Sequence, residues 1–515
     1  MARQTRTARG LVQGTAANVA SLPAPVGGWN ARDSLANMEA TDAVTLENWF
    51  PSVSSVNLRG GYTQFATGIS GQVETLMTYS SGSSNKLFAI ANGSIYNVTA
   101  GGAVGAAVVT GLTNSKWEYV NITTAGGSFL VAVNGVDSAL LYNGTTWSNP
   151  SITGVSSADF DNVTLFKNRL WFVQHNSLKA WYLPVNNIGG AAEAFDLTSI
   201  AKLGGSITSF GAWTIDAGYG VDDNLVFVTS NGEIIVYRGT DPSSASTWAL
   251  IGVWQLGAPV GHRCILKWGG DILILSLDGL LPLAQALQSS RLDPRVALSD
   301  KIQGAITEVT STYQNNFGWQ ILYYAKRNAL FINVPIAVGQ QQQFVMNTIT
   351  KAWCNFTGWN ANCWTIYNDE PYFGGNGFVG LAWDDNYIDN TSSITANALQ
   401  AFNYYGSRGV KKYFTRARPS LFTDGVPSTF VGMNVDFQIA DTTAALSFAP
   451  NPYALWDSAR WDTGVWGSGL TITNNWQGIT GIGYCGATQL KTSSSGIQVE
   501  WASTDVVYQT GWAGI

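Results

Sequence analysis

One pattern limits what this chain can fold into. An apolar run, a tight turn built on Asn-Gly or Asp-Gly, and a second apolar run recur from about Ile69 to Asp389. Clean copies are Leu87–Tyr96 around Asn92-Gly93, Phe129–Gly135 ending in Asn134-Gly135, Leu225–Tyr237 around Asn231-Gly232, and Ile272–Gly279 ending in Asp278-Gly279. Tyr372–Phe378 adds a Gly-rich copy, Leu170–Trp181 turns on Asn176-Ser177, and Ala329–Pro335 opens a copy with a longer loop. Asn-Gly suits a type I′ turn because both central residues need positive φ, which Asn and Gly tolerate best. The turns at Asn92, Asn134 and Asn176 are 42 residues apart, and Asn231 to Asp278 is 47. Those intervals match four-stranded propeller blades of about 40–50 residues.

Seven such hairpins predict an all-β fold with a six- or seven-bladed β-propeller over residues 67–395. Composition agrees. The chain carries 21 Trp, 20 Tyr and 22 Phe, a large rigid apolar load able to fill the wedges between splayed blades. Only 12% of its residues are charged, half the usual share of about 25%, while 45% are hydrophobic. That balance excludes intrinsic disorder and a charged helical bundle. Ring closure follows physically, because an open array would leave two apolar blade faces in water.

Outside the repeat lie two further regions. Residues 1–28 hold Arg3, Arg6 and Arg9 with no acidic residue, the composition of an arm that orders on contact with a partner. Residues 29–66 form a distinct block, in which Thr41 as N-cap, Asp42 in a first turn and Pro51 as a stop predict a short helix. Val56–Leu58 and Tyr62–Phe65 read as strands around Arg59-Gly60-Gly61. An insertion at Ser289–Ser311, with Pro294, Ser299-Asp300, Ile302, Ala305 and Ile306, predicts a rim helix. From 396 to 515 the rhythm changes to longer alternating strands with Trp456, Trp461, Trp466 and Trp476, which predicts a β-sandwich or platform domain completed by the N-terminal segment.

Catalytic chemistry finds little footing. The two histidines, His175 and His262, lack a Gly-x-Ser-x-Gly elbow, and a hydrogen-bonded structural role is their default. Cys264, Cys354, Cys363 and Cys485 are too few for a disulfide framework and show no zinc spacing, so buried thiols are expected, with a Cys354–Cys363 pair left open. Asp222-Asp223 and Asp384-Asp385 fall at blade turns, where Asp caps by hydrogen bonding, although a carboxylate pair for glycoside hydrolysis stays open. No cofactor fingerprint, no secretory signal and no apolar run of membrane-spanning length is present. The expectation is a protein without enzymatic activity, cofactor or membrane anchor.

Cations are the remaining signal in a chain of net charge −6. Arg408, Lys411, Lys412, Arg416 and Arg418 fall within eleven residues, and strand alternation puts Lys412, Arg416 and Arg418 on one face with Lys411 on the other. They, the arm's Arg3, Arg6 and Arg9, and Arg32 and Arg59 of the N-terminal block are candidate contacts to DNA or an acidic partner. The opposing reading is a strand edge blunted by charge.

Gly28–Leu35, Asp42-Ala43, Leu46–Pro51 and Leu58–Tyr62 resemble the opening of tail nozzle, or tail tube (hub), proteins of short-tailed bacteriophages. Lys86–Ala89, Leu141–Trp147, Lys167–Trp171, Thr214–Asp223 and Trp501–Gly511 are similar to the same family. The resemblance implies a virion protein assembled in the bacterial host cytoplasm. It would form a hexameric ring below the portal–adaptor, carry fibres or spikes, and let double-stranded DNA pass on ejection. A carbohydrate-binding or glycoside-hydrolase propeller acting on host polysaccharide is the alternative.

Overall fold

A computed structural model describes residues 17–82, 84–216, 221–287, 294–448 and 469–511. The described chain is dominated by antiparallel strands in a propeller-like arrangement beside a second, interwoven β body. Four stretches form four-stranded meanders: Glu118–Ser148, Phe160–Asp196, Ile207–Gln255 and Gln320–Phe356. Between them Ile265–Pro282 forms three strands, and Lys86–Asn97 and Cys363–Asp384 add hairpins.

The 19-residue strand Gly61–Tyr79 ties the start of this body to its end. Its first half pairs with Asn376–Asp384 and its second half with Lys86–Ala91. The last unit of this body, Cys363–Asp384, therefore borrows its outer strand from the N-terminal side, which leaves neither end frayed.

Turn chemistry is more varied than the sequence predicts. Asn92-Gly93 has φ of 47° and 66°, the expected type I′ pair. At the Asn134 and Asn231 turns only Gly135 and Gly232 have positive φ, and Ser276 pairs with Gly279, so the connection there is Leu277-Asp278. Two further pairs with positive φ lie at Lys167-Asn168 (47°, 56°) and Asn368-Asp369 (50°, 61°).

Aromatic rings fill the wedges. Trp171, Phe227, Tyr237 and Trp248 are buried between the Phe160–Asp196 and Ile207–Gln255 sheets. Trp171 and Trp248 stack at 5.6 Å, as do Tyr237 and Trp248. Burying each such side chain contributes about 1.5–3 kcal/mol.

The second body is a sandwich woven from both chain ends. One sheet joins Ala17–Pro23, Val499–Thr510, Lys412–Thr423 and Gln477–Gly483. The other joins Asp42–Glu47, Ser392–Gln400, Gly486–Ser494 and Ser428–Val435. Phe414, Ala417, Leu421, Val431, Leu490, Trp501 and Val506 are buried in one core with propeller residues such as Trp359 and Trp383.

Two expectations change. Residues 17–23 are a strand, not part of an arm, since Ala17 pairs with Gln509 and Pro23 with Ser503; residues 1–16 lie outside the described residues. The helix predicted after Thr41 is instead two strands, Asp42–Glu47 and Trp49–Pro51, hinged at Asn48 with φ 57°. Tertiary pairing overrides the cap signal: Asp42 pairs in parallel with Gly28, Ala43 pairs with Gln400, and the Asp42 carboxylate accepts from Asn30 and Lys301 at 2.7 and 2.6 Å. The insertion does contain a helix, Gln303–Tyr313, which buries Ala305, Ile306 and Val309.

Candidate functional site

The predicted cations divide sharply on burial. Arg59 is 1% exposed and forks onto Asp389 at 2.8 and 2.6 Å. It also donates to Asn48 Oδ1 at 2.8 Å and to the Thr357 carbonyl at 2.6 Å, and its guanidinium lies 4.6 Å from the Trp359 ring. Asn48 belongs to the sandwich and Thr357 to the propeller side, so Arg59 is the joint between them. Its expected role as a partner contact is therefore corrected, because every donor direction points inward.

Lys412 is likewise corrected. It is fully buried, and its ammonium donates to the carbonyls of Ser407 and Tyr484. Burial pushes its pKa down. The cause is a register shift between Phe414 and Arg416 against Val499–Thr510. A β-bulge there exchanges the strand's two faces. Lys412 and Phe414 face the core before it; Ala417, Leu421 and Thr423 face the core after it. Lys411, not Lys412, consequently shares the outward face with Arg416 and Arg418.

On that face cations sit beside aromatic rings. Lys411 lies over Tyr484 at 5.6 Å, Arg418 over Trp476 at 4.6 Å, and nearby Arg408 over Tyr404 at 4.6 Å. Trp476 and Tyr484 are 38% and 42% exposed. Arg418 also pairs with Asp505 at 2.6 Å, whereas Arg416 is exposed opposite Gly478. From Lys411 to Arg418 the row runs roughly 20 Å along the strand at ~3.3 Å per residue. Exposed Val19 and Ile482 lie in the neighbouring strands of the same sheet.

Arg32 bonds Asp33 at 2.9 Å and also reaches Asp300 of the insertion, which ties the N-terminal block to it. Its hydrogen bond and charge hold the Asp33 carboxyl down at about 2. Arg3, Arg6 and Arg9, like Trp456, Trp461 and Trp466, lie outside the described residues.

The propeller's axial cavity, about 490 Å³, is lined by residues from eight strands, among them Leu76, Tyr119, Thr164, Gly211, Ile265, Ile272, Gln320 and Thr365. Arg263 crosses it. Its Nε donates to Glu118 at 2.7 Å, and its Nη atoms reach Thr75 Oγ1 at 3.0 Å and the carbonyls of Trp117 and Glu74 at 2.9 and 3.3 Å. One side chain thus bolts opposite sides of the body together. His175 Nδ1 lies 3.1 Å from the Asp161 carboxylate, whose pKa burial raises. The ring partners of His175 are Asp161 and Asn176, with no hydroxyl nucleophile among them.

Other candidates resolve into structure. All four cysteines are free and buried, and burial pushes Cys264 and Cys363 up to about 12. Asp223 pairs with Lys167 at 2.8 Å, and Asp385 with Arg327 at 2.5 Å. Among the described residues no group of three or more His, Cys, Asp or Glu is placed to hold a metal ion, and no helix is long and apolar enough to cross a membrane. Arg263 and Asp161 escaped sequence reading, because their partners lie up to 189 positions away. Of the aromatic partners, Trp476 stands out in the sequence only as one of a cluster of tryptophans, and Tyr484 not at all.

Fold and geometry define an all-β protein with a propeller-like body. No family model and no curated protein matches the chain. Among solved structures, it is similar to a crystal structure of BBS1N in complex with ARL6DN, at TM-score 0.40 and 10% identity, covering 63% of this chain and 97% of that one. The WD40 β-propeller domain of Doa1 aligns at TM-score 0.39 and 10% identity over 62% and 96%. The computationally designed Ika8 protein aligns at 0.36 and 9% over 62% and 99%.

Proposed function

We propose that this chain is a structural virion protein, the tail nozzle or hub of a short-tailed bacteriophage, acting without catalysis or cofactor. In this reading it is a seven-bladed propeller carried on a platform. The seven recurrent hairpins each supply the turn between the second and third strands of a blade, and the strand before each hairpin contributes to the lining of the axial cavity, which supports that count. The platforms of six copies form the ring that docks on the portal–adaptor, and the propellers extend outward to meet fibres or spikes.

The observation that carries the reading is the platform's outer sheet face. It is woven from both chain ends, and it presents exposed Val19 and Ile482 beside the Lys411–Arg416–Arg418 row. Mixed apolar and charged surface of this kind suits recurrent protein contact. DNA then passes between copies, because the propeller's own axis is a small cavity barred by Arg263. A mildly acidic chain lets the duplex slide where a basic lumen would hold it.

Sedimentation of the full chain with and without purified adaptor rings tests this. A species of six copies, or co-sedimentation with the adaptor, supports the reading. A monomer that ignores the adaptor at all concentrations rejects it.

A further inference from the structure

A groove of about 550 Å³ opens at the outer edge between the Lys86–Asn97 hairpin and the Glu118–Ser148 sheet. Its floor is aromatic: Phe88 and Tyr142 are buried, and the half-buried Trp147 packs on both with ring centroids 5.1 Å apart. Its rim holds the exposed polar side chains Asn97, Ser148 and Asn149, and no charged side chain lines it.

The rim is hydrogen-bonded and only partly spent. Asn143 Oδ1 accepts from the backbone N–H groups of Thr145 and Thr146 at 2.9 and 2.8 Å, which fixes the turn beside Trp147. The Tyr142 hydroxyl donates to the Gly144 carbonyl at 2.8 Å. Asn97 Oδ1 accepts from the Thr99 N–H at 3.1 Å, which leaves its amide hydrogens to donate outward. Asn149 donates Nδ2 to the Ala139 carbonyl at 2.8 Å, which leaves its Oδ1 to accept. The groove therefore offers a ring face, amide donors, an amide acceptor and a hydroxyl, without net charge.

We infer that this groove binds a neutral saccharide. A pyranose has an apolar C–H face that packs on an aromatic ring, and hydroxyls that both donate and accept, so side-chain amides match them. An ionic ligand would find no counter-charge, and a purely apolar one would leave the rim amides unpaired. Open clefts of several hundred Å³ with an apolar floor and a few placed polar groups are the usual form of small-ligand sites. The inference is independent of ring assembly and would hold for a monomer.

The test is a glycan array carrying neutral and anionic oligosaccharides, probed with the full chain and three variants. The expected result is capture by neutral glycans, reduced about tenfold or more by Trp147→Ala. Because Trp147→Ala removes packing, Ser148→Arg and Asn97→Ala serve as exposed-rim variants. They should lose the same binding at an unchanged melting temperature. Absence of any neutral-glycan capture, capture confined to anionic glycans, or wild-type binding by both rim variants would overturn the inference.

Discussion

Two arginines sit at the same distance from an indole and do opposite things. Arg59 is 4.6 Å from Trp359 and 1% exposed; Arg418 is 4.6 Å from Trp476 with a third of its side chain in water. At the joint, Arg59 has its charge matched by a bidentate carboxylate and its remaining donors by Asn48, Gly60 and Thr357. Removing one partner there strands the other in low dielectric. On the sandwich's outer face water solvates whatever is left, so an ion pair such as Arg418–Asp505 contributes about 0–1 kcal/mol. A cation's worth to the fold is set by its surroundings, and the cations that matter least to the fold are those available to a partner.

That contrast can be broken at its strong end first. Asp389→Ala should cost about 3–5 kcal/mol in denaturant unfolding, with Arg59→Met plus Asp389→Leu recovering part of the loss. A loss below about 1 kcal/mol would mean that water reaches the joint. Next in size, Gly93→Ala should cost about 1–3 kcal/mol. Its φ is 66° and an added Cβ would meet the Leu112 carbonyl oxygen at 2.3 Å, so an unchanged midpoint would contradict the turn geometry.

On the weak side, replacing Lys411, Arg416 and Arg418 with Ser should shift stability by less than about 1–2 kcal/mol while weakening adaptor or ring contact. Collapse of the melting temperature would make the row architectural. The smallest effect concerns Asp33. Its folded pKa, about 2, lies below the ordinary 3.8, so its contribution is present above that ordinary value and is lost as pH falls toward 2. Asp33→Asn should flatten stability against pH only in that window, and slightly, because Arg32 is 47% exposed.

The hairpins were legible because a tight turn demands positive φ and few residues supply it, so Asn92-Gly93 announces itself. Lys167-Asn168 and Asn368-Asp369 adopt the same geometry with less telling residues. Asp42 misled because a cap signal is local, while the strand it joins pairs with residues 28 and 400. The bulge between Phe414 and Arg416 leaves no mark in composition, yet it decides which lysine is buried. Arg59 could be seen at a turn but not assigned, since Asp389 is 330 positions away. The aromatic groove was invisible for the same reason: its floor joins Phe88 to Trp147 across two separate sheets.

In the assembly we propose, copies of this chain join through their outer sheet faces around a passage. Electron microscopy of purified virions, or of assembly mixtures with portal and adaptor, tests it most directly. Six-fold rings or tubes with the sandwich inward and propellers outward are the predicted result. Particles that lack this chain altogether, or a chain that stays solitary beside complete tails, would contradict it.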